Sequence, residues 1–130
     1  VSGSRISING TTFQKISDKA LSVGERSKVS ASHLSMEEVA IGAASKDGSH
    51  LAISNATITS AKNSGLMAYI KKPEYGPATI EASNIRFFNT PIKARAQKGS
   101  SITLEGKKMK PDDIDVKQLY KTNMKPGIKK

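Results

Sequence analysis

The 130-residue chain has no cysteine and no tryptophan, and only three phenylalanines and three tyrosines. Without cysteine there is no disulfide framework and no thiolate metal site, which leaves the compartment open. With 36% hydrophobic residues and so few rings, the chain does not read as a globule built on one bulky central core. A repeat that needs only a thin column of inward side chains per unit tolerates such a composition. No apolar run approaches the ~20 residues of a membrane-spanning helix. Acidic residues are also scarce, 11 against 21 basic ones, for a net charge of +10. The excess is uneven: residues 1–92 carry +3 and residues 93–130 carry +7. This balance favours anionic partners, an acidic polysaccharide or a cell-surface polymer first among them. A lysine-rich tail that is simply hydrated accounts for the same numbers. Nucleic acid is not expected, because the basic residues are not interleaved with stacking aromatics.

What the chain does have is a repeat. Arg5–Phe13 (RISINGTTF) aligns with Lys28–Met36 (KVSASHLSM), His50–Ile58 (HLAISNATI), Thr79–Phe87 (TIEASNIRF) and Ser101–Met109 (SITLEGKKM). The starts are 23, 22, 29 and 22 residues apart. Ile6, Val29, Leu51, Ile80 and Ile102 share one column, and Ile8, Ala31, Ile53, Ala82 and Leu104 share the next but one. Gly10, His33, Asn55, Asn84 and Gly106 share a third, rich in the residue types that tolerate a left-handed backbone. Apolar residues two apart, a bend, then another apolar residue describe a strand, a turn and a second strand. A period in this range marks a solenoid. Counting back from Ser27, Ser49 and Ser100 stacks Leu21 on Ala43 and Ala94, and Val23 on Ser45 and Ala96. That predicts a third strand in each coil. The fold expected is all-β: about five coils of three short strands over residues 1–109, then a C-terminal capping segment and basic tail over 110–130.

Two departures stand out. Coil three is longer by Lys71-Lys72-Pro73-Glu74-Tyr75-Gly76-Pro77, whose prolines exclude a central strand and predict a surface loop. After Lys110-Pro111 the period stops, and Asp112 or Asp113 is placed to start a short helix with Val116, Leu119 and Tyr120 on one face. That helix is expected to cover the end of the last coil, with an extended tail from Thr122 to Lys130. Nothing comparable precedes Arg5, so Ile6, Ile8, Phe13 and Leu21 are expected on an open face with an unpaired edge. Either preceding coils of a longer chain or self-association through this N-terminal end would cover it. The chain is accordingly expected to be a piece of a larger protein or a mature product.

These repeats (RISINGTTF, HLAISNATI, TIEASNIRF) and the turns SVGERS and SKDGS resemble the right-handed parallel β-helix of the pectin-lyase-like superfamily, over residues 5–109. They are also similar to the terminal β-helical regions of larger bacterial surface or secreted proteins. The resemblance implies an extracellular or cell-surface location. It implies either a non-catalytic module, structural or carbohydrate-binding, or a fragment of a polysaccharide lyase, epimerase or glycoside hydrolase.

Catalysis of that kind needs grouped carboxylates or a base that abstracts a sugar proton. Glu25 and Asp47 stack at the return turn with Lys98, and either share a cation or proton or are solvated and relieved by Arg26, Lys46 and Lys98. His33 and His50 have no metal-ligand spacing. No catalytic residue, metal or cofactor is assigned. The outward row Ser7, Ser30, Ala52, Glu81 and Thr103 is too mixed for a flat threonine array. The ligand-binding candidates are Tyr69, Lys71, Lys72 and Tyr75, which offer rings to sugars and cations to acidic groups around the coil-three loop. A loop that merely packs against the solenoid is the alternative.

Overall fold

The computed structural model describes residues 4–122. The chain winds as a parallel β-solenoid of about four turns. Three turns are each one long strand: β1 (Arg5–Val23), β2 (Lys28–Lys46) and β3 (His50–Tyr69). The fourth is split into β4 (Thr79–Phe88) and β5 (Ala94–Gln97), and β6 (Ser101–Leu104) begins a fifth. Each strand pairs in parallel with its equivalent one turn away. The expected columns are found: Ile6 on Val29, Leu51, Ile80 and Ile102, and Leu21 on Ala43, Leu66 and Ala94.

The long strands divide into three straight segments because the backbone enters the left-handed region twice within each of them, and again at the return turns Glu25-Arg26 and Asp47-Gly48. The first bend falls at Gly10, His33, Asn55 and Asn84. The second, five residues later, falls at Lys15, Glu38, Ser60 and Asn89. Side chains before and after a bend thus all alternate inward. The closing turns use buried serines: the Ser27 N–H donates to Ser49 Oγ, and the Ala78 N–H to Ser100 Oγ. Where the turns leave no ladder partner, a hydroxyl accepts the backbone proton instead.

The inward residues form one core running the length of the axis, from Val29, Met36 and Leu51 to Ile80 and Ile102. At its start, Ile6 is 38% exposed and Ile8, Phe13 and Ile16 are half-buried, whereas Leu21 is buried. Among the described residues β1 pairs only with β2, so its outer edge is open. The far end is closed differently from expectation, and the count of five coils becomes about four. After Leu104 the chain reverses through Glu105-Gly106, both at positive φ, into β7 (Lys107–Lys108), antiparallel to β6. Two such residues make the tight hairpin turn. Lys107 therefore leaves the inward column that Ile85 occupies. The Met109 side chain lies against the core end, and its N–H donates to Ile102 O at 2.8 Å.

The next strand, β8 (Pro111–Asp112), pairs with β5, so Asp112 does not start the helix as expected; it forms later, as α1 (Val116–Thr122), with Asp115 Oδ1 accepting the Gln118 N–H. It lies on the outer flank of the third segments, not across the end of the last coil. Ile114, Leu119, Val116 and Tyr120 pack there against Ile41, Ala44, Met67 and Tyr69. Those segments are buried on both sides, which explains their unbroken apolar run Gly65-Leu66-Met67-Ala68-Tyr69. The extended tail expected after the helix lies outside the described residues from 123 onward.

Two predictions follow from this packing. A Cβ on Gly65 would sit 2.5 Å from the Phe87 ring and 2.8 Å from Lys93 O. Gly65→Ala should therefore destabilise the chain by about 1–3 kcal/mol in urea denaturation, through overpacking. At the hairpin, the Glu105 carboxylate accepts the N–H groups of Asn84 and Ile85, which lowers its pKa. A carboxyl depressed in the folded state stabilises above its unfolded value, about 4.3, and that contribution is lost as pH falls through the folded value. Glu105→Gln should lower the Tm at pH 7, and the gap to the parent should close in acid.

Candidate functional site

The coil-three loop is laid down on the return turns of the first two coils. Asp47, 1% exposed, reaches up from one of those turns. Its Oδ1 accepts the backbone N–H groups of Lys71 and Lys72 at 2.7 and 2.6 Å. Its Oδ2 is buried with no hydrogen-bond partner among the described residues. Beyond it the chain forms a single 3-10 turn (Pro73–Tyr75), and Gly48 N–H donates to Gly76 O at 2.9 Å. A side chain at Gly48 would collide with the Tyr75 carbonyl. The loop is thus anchored through its backbone to the turn beneath.

Of the four expected ligand-binding residues, three share this loop. Lys72 pairs with Glu25, and that bond raises its pKa. Tyr75 is half-buried, with the Arg26 guanidinium 5.3 Å from its ring centre. The Lys71 ammonium stands 4.2 Å from the Tyr120 ring centre. Tyr69 does not project with them. It is 0% exposed beneath α1, where its hydroxyl bonds that of Tyr120 at 2.8 Å and the rings meet edge to face. Burial, then the neighbouring Tyr120, raises the Tyr69 pKa. Tyr69 accordingly has no ring face turned to solvent. Its place in a run apolar at successive positions was the available signal.

Glu25 and Asp47 are each engaged separately, one by Lys72 and the other by the loop backbone. His33 sits at the first bend with Nδ1 3.0 Å from Asn9 Oδ1. His50 meets Thr79 Oγ1, and its Nε2 is 3.8 Å from Glu81. Among the described residues no three His, Cys, Asp or Glu side chains are grouped to hold a metal.

A second region lies on the outer side of the first segments. Two rows run along the axis there: Ser7, Ser30, Ala52, Glu81 and Thr103, and beside them Asn9, Ser32, Ser54 and Ser83. They line an open groove of about 550 Å³. The first row is visible in the sequence. The second was missed because the bend that follows it hides its alternation, although it lies two residues on along the same strands. Ser32 Oγ donates to Asn9 Oδ1 at 3.3 Å, so the second row is partly linked from turn to turn. Along the border Arg5, Lys28 and His50 stack, and line a smaller depression that shares Ser7, Ser30 and Ala52. A larger depression of about 650 Å³ follows the second bends, over Ile16, Val39 and Ala61. Its floor is the side of the core column, and it offers fewer hydroxyls than the first-segment groove.

Comparison with family models, curated proteins and solved structures finds no match to this chain.

The loop anchor is open to a direct check. Asp47→Ala removes the shared acceptor of two N–H groups, each bond to a charged group contributing roughly 1.5–3 kcal/mol. The substitution should lower stability by an amount of that order and make the 71–77 segment the first site of limited proteolysis.

Proposed function

We propose that this chain is a non-catalytic β-solenoid module of a larger secreted or cell-surface protein, a rigid scaffold that binds carbohydrate. The observation that carries the reading is the first-segment groove, a double row of hydroxyl, amide and small side chains crossing every coil. Coils repeat about every 4.8 Å, so an extended polymer meets a similar set of donors and acceptors at each step. Arg5 and Lys28 on the border, with the +10 net charge, favour an acidic polysaccharide over a neutral one. Lys71, Lys72 and Tyr75 are a second contact in this proposal, for acidic groups that reach the loop. Among the described residues Glu81 is the single acidic side chain lining the groove, and they supply no acid–base pair there for lyase or hydrolase chemistry. The open edge of β1 and the exposed Ile6 suit a further coil or a second copy of the chain.

Titration with acidic and neutral polysaccharides by calorimetry tests the reading. Binding should favour the acidic polymer and be lost in Ser32→Tyr and Ser54→Tyr, which fill the groove from the surface without touching the core. Loss only in a Lys71→Ala, Lys72→Ala, Tyr75→Ala chain would move the site to the loop. No binding by the folded parent chain to any polymer would overturn the carbohydrate-binding proposal.

A further inference from the structure

Four cationic side chains crowd the flank where α1 meets the solenoid, and they are not equally compensated. Lys19, Lys46 and Lys71 place their ammonium groups 5.1, 5.9 and 4.2 Å from the centre of one ring, Tyr120. Lys19 is matched by Asp18 at 3.1 Å, and its side chain is only 8% exposed. Lys72 is matched by Glu25. Among the described residues, Lys46 and Lys71 have no carboxylate oxygen within 4.0 Å. The ring quadrupole and the Tyr120 hydroxyl, 3.4 Å from Lys46 Nζ, are what hold them instead.

Such an arrangement is electrostatically incomplete. Burial first, then the charges of Lys19 and Lys71, keep Lys46 below the ordinary lysine range, with Asp47 opposing. The charged groups facing it are Lys19 and Asp18 on β1, Asp47 on the turn, and Lys71 and Lys72 on the loop; Tyr69 and Tyr120 adjoin them. Two carboxylates also line this region: Asp47 spends Oδ1 on two backbone N–H groups and keeps Oδ2 buried without a hydrogen-bond partner among the described residues, and Glu25 pairs with Lys72. Beside the lysines lies a small solvent-facing cleft of about 200 Å³, lined by Ser22, Gly24, Glu25, Lys46, Asp47, Lys71 and Lys72. It is large enough for one compact anion.

We infer that this cleft is an anion site, in which Lys46 and Lys71 together hold one oxyanion, a sulfate, phosphate or carboxylate group. A negative charge there relieves the repulsion between the two lysines and supplies the anionic partner that neither has within 4.0 Å among the described residues. It also favours protonated Lys46, so binding takes up a fraction of a proton and weakens as pH rises toward the free-lysine range. The site does not depend on the first-segment groove. The oxyanion has two sources, a free ion or an acidic group on a polysaccharide.

The test uses the intact chain and two probes, inorganic sulfate and a sulfated oligosaccharide with its desulfated counterpart. Thermal unfolding is followed in sodium sulfate against sodium chloride at matched ionic strength, beside Lys46→Met, Lys71→Met and the control Lys98→Met. General salting-out by sulfate acts on all four chains alike, so the difference between them is the readout. The parent and Lys98→Met should show a saturable extra Tm rise, and the site variants an affinity weaker by roughly tenfold or more, as for a lost charge-assisted contact. The Lys46 side-chain NMR resonances should shift over the same concentration range. A response to inorganic sulfate assigns the free ion as sufficient. A response only to the sulfated oligosaccharide assigns the polymer-borne group. Equal responses of parent and Lys71→Met, with unmoved Lys46 resonances, would overturn the site even if Lys46→Met failed to fold.

Discussion

Every other feature of this molecule depends on the register of the parallel ladder. Along the straight segments the backbone N–H and C=O groups bond to the coils one turn away, so residue identities are compared vertically rather than along the chain. A residue 22 or 23 positions on stands directly beneath, as Val29 does under Ile6 and Leu51 under Val29. Slipping the register by one would turn every inward side chain outward. The register is kept even where coils differ in length. One residue is absorbed between Ile16 and Lys19, another between Ala61 and Ser64, and the rest of the coil-three excess is placed after Tyr69.

The second constraint is that a flat ladder cannot close into a tube. Two left-handed bends within each long strand, together with a return turn that is also left-handed at Glu25-Arg26 and Asp47-Gly48, accomplish the closure, and they cost conformational energy wherever the residue has a Cβ. The first column meets that cost with Gly10, Asn55 and Asn84, and with Asn84 further held by Glu105. The second column, Lys15, Glu38, Ser60 and Asn89, has little of that chemistry and is carried by the ladder on either side. Local propensity yields there to tertiary pairing. The same imbalance explains the two ends. A hairpin with Gly106 and a folded-back Met109 closes one, while β1 leaves its edge and Ile6 open at the other.

The flank under α1 is where structure and charge meet most tightly. Because the third segments of the second and third coils are apolar on both sides, they take a second layer, and the helix that supplies it brings Tyr120 over Tyr69. The loop anchored by Asp47 brings Lys71 to the same ring from the other direction. Neither element belongs to the repeat. Together they concentrate positive charge on one flank, while the first segments keep an open groove lined mostly by small residues.

The sequence by itself determined the solenoid, its columns and its third strand, because inward positions recur at a period that any side-chain comparison exposes. It also placed the loop, through its prolines, and the helix, through its break in period. Gly106 and Lys107 marked the end of the coils, but aligning them with Asn84 and Ile85 extended the repeat by a coil. Only the tertiary structure decided that the helix turns back along the flank, that Tyr69 is buried, and that the second bends fall on Lys15 and Glu38. It alone brought Lys19, Lys46 and Lys71 around Tyr120, since residues up to 101 positions apart have no local pattern linking them. Periodicity reports what each coil repeats. Contacts made once, between unlike elements, are set by where the finished solenoid leaves apolar surface and charge uncovered.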